Sequence, residues 1–185
     1  MLNSDHQDHL RARGFSDDLI KMFAGDEGGE FIVCSLSAAE IQKQWLDAFP
    51  AMRGSDSGAL LLRFNSTTYS LRPDNLVIDG ERKKYLYSTS DAPGVSTQPW
   101  IPPGEPCIAT EGLFDALAAT YLMDTPCCAA TAPSHLGRSK FPASVKVYIS
   151  DADVPYHHGK SLLAMQVGLC RARGYKIAHL PRNPN

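Results

Sequence analysis

Apolar and polar positions change their spacing near the middle of the chain. Residues 4–24 carry two short helical patterns: His9-Leu10-Arg11-Ala12-Arg13 stops at Gly14, and Ser16-Asp17-Asp18 caps a second turn bearing Leu19, Ile20, Met22 and Phe23. Gly25-Asp26-Glu27-Gly28-Gly29 reads as a loop. Ser37, with Glu40 at the capping-box position, predicts a helix over 38–49 whose apolar face is Ile41, Trp45, Leu46 and Phe49, ended by Pro50. Ala59 to Phe64 predicts a strand, and Thr67 to Arg72 alternates as a second one. A turn follows near Pro73-Asp74-Asn75, and Lys84-Tyr85-Leu86-Tyr87 is a further short strand. Residues 91–106 hold five of the 13 prolines, a linker or sheet-edge crossing.

From Cys107 onward the pattern alternates strand and helix. Strands are predicted at 107–110, 126–131, 145–150 and 175–180, with Pro181 stopping the last. Helices are predicted at 112–123 and 159–173, with Gly174 at the C′ position of the second. Such alternation implies a parallel sheet with helices on its faces, and ligands at the carboxyl ends of its strands. The expected architecture is therefore α/β in residues 101–185, preceded by a small α+β subdomain in residues 1–100.

Two acidic signals fall at predicted strand ends: Thr110-Glu111-Gly112-Leu113-Phe114-Asp115 and Ser150-Asp151-Ala152-Asp153. Alternation in an extended segment sends Asp151 and Asp153 to the same side. Two like charges that close are costly without a cation or base between them. Together with Glu111 they predict a site for a hard divalent metal, with one carboxylate free to move a proton. The helix after Glu111 offers its N-terminal amides to a phosphate, Gly112 allows close backbone approach, and Asp115 caps or pairs locally. The loop Thr131 to Arg138 follows another strand end, where Ser134, His135 and Arg138 are candidates for contacts to nucleic-acid backbone. Lys160, at a helix start, is a candidate for a nucleotide phosphate.

These residues carry a family resemblance. Glu111-Gly112-Leu113-Phe114-Asp115 resembles the E-G-x-x-D segment of Toprim domains, and Asp151-Ala152-Asp153 resembles their D-x-D motif, in the same order of strands and helices over Cys107 to Pro181. Toprim domains occur in bacterial-type primases, topoisomerases and several nucleases. The resemblance implies Mg²⁺- or Mn²⁺-dependent phosphotransfer, with Glu111 as general acid/base and Asp151 and Asp153 on the metal. Upstream, Arg82-Lys83-Lys84-Tyr85-Leu86 resembles the K-Y-L segment that precedes Toprim in primases. His9-Leu10-Arg11-Ala12-Arg13-Gly14-Phe15-Ser16 is similar to the opening of primase-like regions in plasmid and phage replication proteins. What this implies is a DNA primase-type nucleotidyltransferase acting on single-stranded DNA with nucleoside triphosphates. Two readings stand beside it: a metal-dependent Toprim nuclease, and a non-catalytic nucleic-acid-binding module assisting a replication protein. The sequence departs from relatives in lacking a zinc-ribbon pattern and an acidic residue after the last strand. No G-x-x-x-x-G-K-[ST] helicase motif occurs, so either a replicative helicase acts in trans or in a longer polypeptide, or the chain is a stand-alone version.

Charge refines this picture. The formal net charge is −2. Residues 1–100 carry 10 Lys and Arg against 14 Asp and Glu, whereas residues 101–185 carry 8 against 6, three of these being the metal-site candidates. With a cation bound the second half becomes distinctly basic. In the first half Arg63, Arg72, Lys83 and Lys84 are candidates for phosphate contacts, with Tyr85 for stacking. The five cysteines form no C-x-x-C pair, which argues against a zinc site or disulfide framework; Cys107, Cys127 and Cys170 are expected as buried thiols. No long apolar run or signal-peptide core is present, so a cytoplasmic protein away from membranes is expected. No G-x-S-x-G motif points to a serine hydrolase.

Overall fold

The computed structural model describes residues 1–26, 28–88, 99–131, 136–150 and 159–179, with the backbone alone for 159–163 and 179. The chain divides into two compact units, Met1–Pro93 and Gly94–Asn185.

In the first unit, helices α1 (Ser4–Arg11) and α2 (Asp17–Ala24) open on side-chain caps. Asn3 Oδ1 accepts from the His6 N–H at 2.8 Å, and Ser16 Oγ from the Leu19 N–H at 3.4 Å. A four-stranded antiparallel sheet follows in the order β1 (Val33–Leu36), β2 (Ala59–Arg63), β3 (Tyr69–Pro73), β6 (Leu86–Tyr87). Between β3 and β6 a two-residue hairpin joins β4 (Val77–Ile78) to β5 (Glu81–Arg82). Alternation along β2 sends Ala59 and Leu61 into a core with Leu71, Ile41, Phe49 and Met52, all essentially unexposed. Leu60 and Leu62 face the other way and are equally buried.

The predicted helix over 38–49 is broken. The Ser37–Glu40 capping box forms, with Glu40 Oε2 2.8 Å from the Ser37 N–H, but the α-helix α3 ends at Glu40 (Ala38–Glu40). A π-helical turn covers Ile41–Trp45, and a 3₁₀ turn covers Pro50–Met52. Apolar residues recur here every fourth position, at 41, 45 and 49. A wide turn keeps that spacing on one face better than a 3.6-residue helix does. Gln42 braces the distortion: its Nε2 donates to the Met52 and Ser55 carbonyls, and its Oε1 accepts from the Gly54 N–H at 3.1 Å.

A polar latch ties α1 to the sheet. His6, 7% exposed, sets Nδ1 at 2.7 Å from Ser35 Oγ on β1 and Nε2 at 2.8 Å from Asp74 Oδ1 just after β3. Ser35 Oγ also accepts from the Asn3 N–H at 2.8 Å. Gly58 makes room for this arrangement. A Cβ at Gly58 would stand 2.7 Å from Asp74 Oδ2 and 3.1 Å from the Leu36 carbonyl oxygen.

The second unit is a parallel sheet in the order β8 (Cys127–Ala129), β7 (Ile108–Thr110), β9 (Val147–Ser150), β10 (Lys176–His179). Helices α4 (Leu113–Leu122) and α5 (Gly159–Ala172) connect β7 to β8 and lead into β10. The mixed α/β class expected from the alternation is present. Trp100 bridges Ala129 in antiparallel fashion and covers the outer edge of β8. One cysteine departs from expectation. Cys127, Cys128 and Cys170 are buried, but Cys107 is exposed, because it precedes the first paired residue of β7 at the amino edge of the sheet. Burial pushes the Cys127 thiol up to about 11 and that of Cys128 to about 12, which removes thiolate reactivity. Among the described residues no helix is long and apolar enough to cross a membrane.

Gly58→Ala is expected to destabilise the protein by about 1–3 kcal/mol, because the new methyl must displace the Asp74 carboxylate held by His6. In an Asp74→Ala background the same substitution should cost less than half as much, and paired urea titrations measure that coupling.

Candidate functional site

The first β–α turn of the parallel sheet is built around Thr110, Glu111 and Gly112. The Thr110 hydroxyl points at the Gly112 carbonyl (3.0 Å), with the Cys128 carbonyl at 3.4 Å, and folds the chain sharply off β7. Gly112 is the N-cap of α4. A Cβ there would lie 2.9 Å from Asp115 Oδ2, so a side chain at this position would crowd the carboxylate of the first helical turn. This gives the E-G-x-x-D spacing a local reason: Asp115 lies where an acid complements the helix macrodipole, and glycine leaves it the space.

β7 lies between β8 and β9, so the strand order reverses at the β7–β9 pair. Crevices at the carboxyl ends of such a pair are the usual ligand sites of open parallel sheets. Thr110 pairs with Ile149 in parallel register. The residues that follow, Glu111 and Ser150, therefore leave the sheet at the same edge, and Ser150 leads directly into Asp151 and Asp153 in the sequence. Asp151 and Asp153 lie outside the described residues, as do Ser134 and His135.

Glu111 is 3% exposed, and its Oε1 accepts a hydrogen bond from Gln166 Nε2 at 2.6 Å. A carboxylate this far from water costs several kcal/mol unless hydrogen bonds or a counter-charge offset it. Gln166 comes from α5 and is itself fully buried. Sequence reasoning passed over it, although a signal was present: Leu163, Gln166 and Cys170 share one helical stripe, and Gln166 is its polar interruption. Lys160 lies in the first turn of α5. At the opposite end, just past the helix, Arg173 donates to the carbonyls of Leu136, Gly137 and Ser139 at 3.0, 2.6 and 2.7 Å. It thereby fixes the segment that carries half-buried Arg138. Among the described residues no group of three or more His, Cys, Asp or Glu side chains could hold a metal ion.

The basic candidates of the first unit separate into two sets. Arg63 is engaged: its guanidinium lies 3.0 Å from Glu30 Oε2 and 5.6 Å from the Phe31 ring, and its Nε donates to the Asn65 carbonyl. Lys83 pairs with Glu81 at 3.0 Å on the hairpin. Arg72 and Lys84 instead gather on Tyr85. Arg72 Nη1 is 3.3 Å from the Tyr85 hydroxyl and its guanidinium 5.7 Å from the ring centre; Lys84 Nζ is 5.8 Å from the same centre. His9 of α1 and Arg13 just beyond it were not among the expected site residues. Arg13 Nε donates to His9 Nε2 at 3.2 Å. Partial burial and the charges of Arg72, Arg13 and His6 lower the His9 pKa from 6.5 to about 4.

Separately in the first unit, a cavity of about 450 Å³ is lined by Ser35, Ser37, Glu40, Gly58 and Asp74 beside residues 1–3. It borders the His6 latch.

No protein-family model matches the chain, and no curated protein or solved structure matches it.

Two outcomes are expected. Gln166→Leu should cost about 1–3 kcal/mol by stripping a donor from a buried carboxylate; urea unfolding followed by Trp100 fluorescence in a Trp45→Phe background measures it. His9 binds a proton more weakly folded than unfolded, so its contribution to stability is complete above about 6.5 and is lost as the pH falls toward about 4. His9→Gln should flatten that limb of the pH–stability curve, as read from urea midpoints between pH 4.5 and 7.

Proposed function

We propose that the second unit is a Toprim-type catalytic domain and the whole chain a DNA primase-like nucleotidyltransferase core from a plasmid or phage replication system. Its substrates on this reading are single-stranded DNA and nucleoside triphosphates. The observation that supports it is the parallel pairing of β7 with β9 where the strand order reverses: Glu111 and Ser150 leave the sheet at one edge, and Asp151 and Asp153 come next in the sequence after Ser150.

The donor set suits a hard cation in kind, since carboxylate oxygens are what Mg²⁺ and Mn²⁺ prefer. Asp151 and Asp153 are the residues that would hold it; when bound, such an ion neutralises phosphate charge and lowers the pKa of an attacking hydroxyl. The chain's own contribution is the handling of the proton. Glu111 receives it from the 3′-hydroxyl as that oxygen attacks the α-phosphate and pyrophosphate leaves. Gln166 holds Glu111 Oε1 in a fixed direction, and burial keeps bulk water from competing for the proton. The α4 N-terminus, opened by Gly112, directs backbone N–H groups toward the transferring phosphate.

The test is primer synthesis on single-stranded DNA with labelled nucleoside triphosphates and Mg²⁺ or Mn²⁺. Wild-type protein should make new oligonucleotides. Glu111→Gln should lower the rate by about 10²–10⁴-fold, the range for losing a general acid/base, and Asp151→Asn/Asp153→Asn should abolish product. Shortening of the template in place of synthesis would replace this reading with a nuclease using the same carboxylates on water. Salt-sensitive binding with neither product would replace it with a binding module.

A further inference from the structure

The latch that ties α1 to the sheet has the order of groups found in a catalytic chain. His6 stands between a serine hydroxyl and a carboxylate, with Ser35 Oγ 2.7 Å from Nδ1 and Asp74 Oδ1 2.8 Å from Nε2. Nucleophile, base and orienting acid follow one another in hydrogen-bond contact, as in acyl-transfer enzymes built on unrelated folds. Such a set is recognised by geometry rather than by spacing in the sequence. A missing G-x-S-x-G excludes only one strand-to-helix version of it.

Three features set this chain apart from a purely structural tie. The first is its direction. An ionised carboxylate only accepts, so Asp74 places the imidazole proton on Nε2 and leaves Nδ1 open to the proton of Ser35. The second is spare capacity at Ser35. Its O–H is given to His6, and one lone pair accepts the Asn3 N–H at 2.8 Å, which leaves the other lone pair for an electrophile. The third is access. Ser35 is half-buried and lines the cavity of about 450 Å³ together with Asp74, whereas His6 is only 7% exposed and shielded from water. A volume of that size accommodates a small ligand.

We propose that Ser35, His6 and Asp74 form a second active site, for acyl transfer from small esters. Ser35 Oγ bonds to the ester carbonyl carbon while its proton passes to His6 Nδ1, and Asp74 steadies the imidazolium. The bond from that carbon to the leaving oxygen then breaks, and the leaving oxygen takes the proton from Nδ1. Water reverses the sequence. Its oxygen bonds to the acyl carbon and its proton goes to Nδ1; the bond to Ser35 then breaks, Oγ recovers the proton, and the free acid departs. Glu40 and Asp74 on the cavity wall repel an anionic acyl group, while Leu36 and Ala38 suit a short uncharged one. All three residues lie in the first unit and no metal takes part, so the site is independent of the reaction proposed for Glu111.

The experiment treats the full chain, in EDTA, with a fluorophosphonate probe and locates the adduct by intact-mass and tandem mass spectrometry. A parallel arm follows hydrolysis of 4-nitrophenyl acetate. The probe should attach at Ser35, with the phosphorus–fluorine bond broken and fluoride released. Unlabelled protein should release nitrophenolate, and labelled protein should not. Ser35→Ala should abolish both reactions. Asp74→Asn keeps a hydrogen-bonding group opposite Nε2 but removes the charge that steadies the imidazolium. It should slow both reactions about 10²–10⁴-fold, the range for losing effective general-base catalysis, while urea unfolding stays cooperative. A structural bridge would show no such loss, and this variant decides the matter if Ser35→Ala fails to fold. No adduct on folded wild-type protein, an adduct at another residue, or equal rates for Asp74→Asn and wild type would overturn the site. Primer synthesis without an adduct would sink this site alone. An adduct without primer synthesis would sink the polymerising reading alone.

Discussion

Parallel pairing of neighbouring strands constrains the second unit more than any single side chain does. Because β7 and β9 run in the same direction, their continuations must leave the sheet at one edge. Because β8 lies on the far side of β7, the connections diverge there and leave a gap between them. The chemistry proposed for this protein depends on that geometry. It gives Glu111 a place at the switch point, lets Gly112 open a helix beside it, and brings α5 close enough for Gln166 to reach the carboxylate. An antiparallel β9 would have turned Ser150 to the other end of the sheet.

The first unit solves a different problem. Its antiparallel sheet has an apolar layer on each face, and a polar bridge from His6 to Ser35 and Asp74 ties α1 to it. In its neutral form the imidazole donates from Nε2 to the carboxylate and accepts from the Ser35 hydroxyl at Nδ1; protonated, it donates to both. The connection therefore persists in either charge state, while Gly58 supplies the space that the carboxylate occupies. The neighbouring cations are sorted by what they touch: some are spent on local carboxylates, and others crowd a tyrosine.

Much of this was legible in the sequence, and the failures have physical causes. The alternation of apolar strands with amphipathic helices after Cys107 carried the α/β class, and the strand ends fell within two or three residues of where the pattern put them. The Ser37–Glu40 capping box was read correctly, but the helix beyond it was not, because a four-residue apolar spacing suits a helix and a wide turn almost equally over three repeats. β1 escaped notice because Val33-Cys34-Ser35-Leu36 does not alternate cleanly. The β4–β5 hairpin was missed despite an Asp79-Gly80 pair, whose positive φ angles of 53° and 78° mark the tight turn such pairs favour. Of the site, the acidic residues were visible as motifs. Gln166 showed only as a polar interruption of an apolar helical stripe, since its role depends on a hydrogen bond to Glu111 across 55 residues of chain, and the influence of Arg72 on His9 spans 63. The separation of Arg63 and Lys83 from Arg72 and Lys84 was equally invisible to composition.

Helix α5 has a mechanical consequence. Arg173, just past its end, grips three backbone carbonyls of the 136–139 segment, and Gln166, two turns earlier, holds Glu111. Seven residues of helix span roughly 10 Å and bend little over that length. The second half of the helix is thus a strut with a hook at each end: a pull on the 136–139 segment is delivered as a displacement of the amide that aims Glu111, with little slack between them.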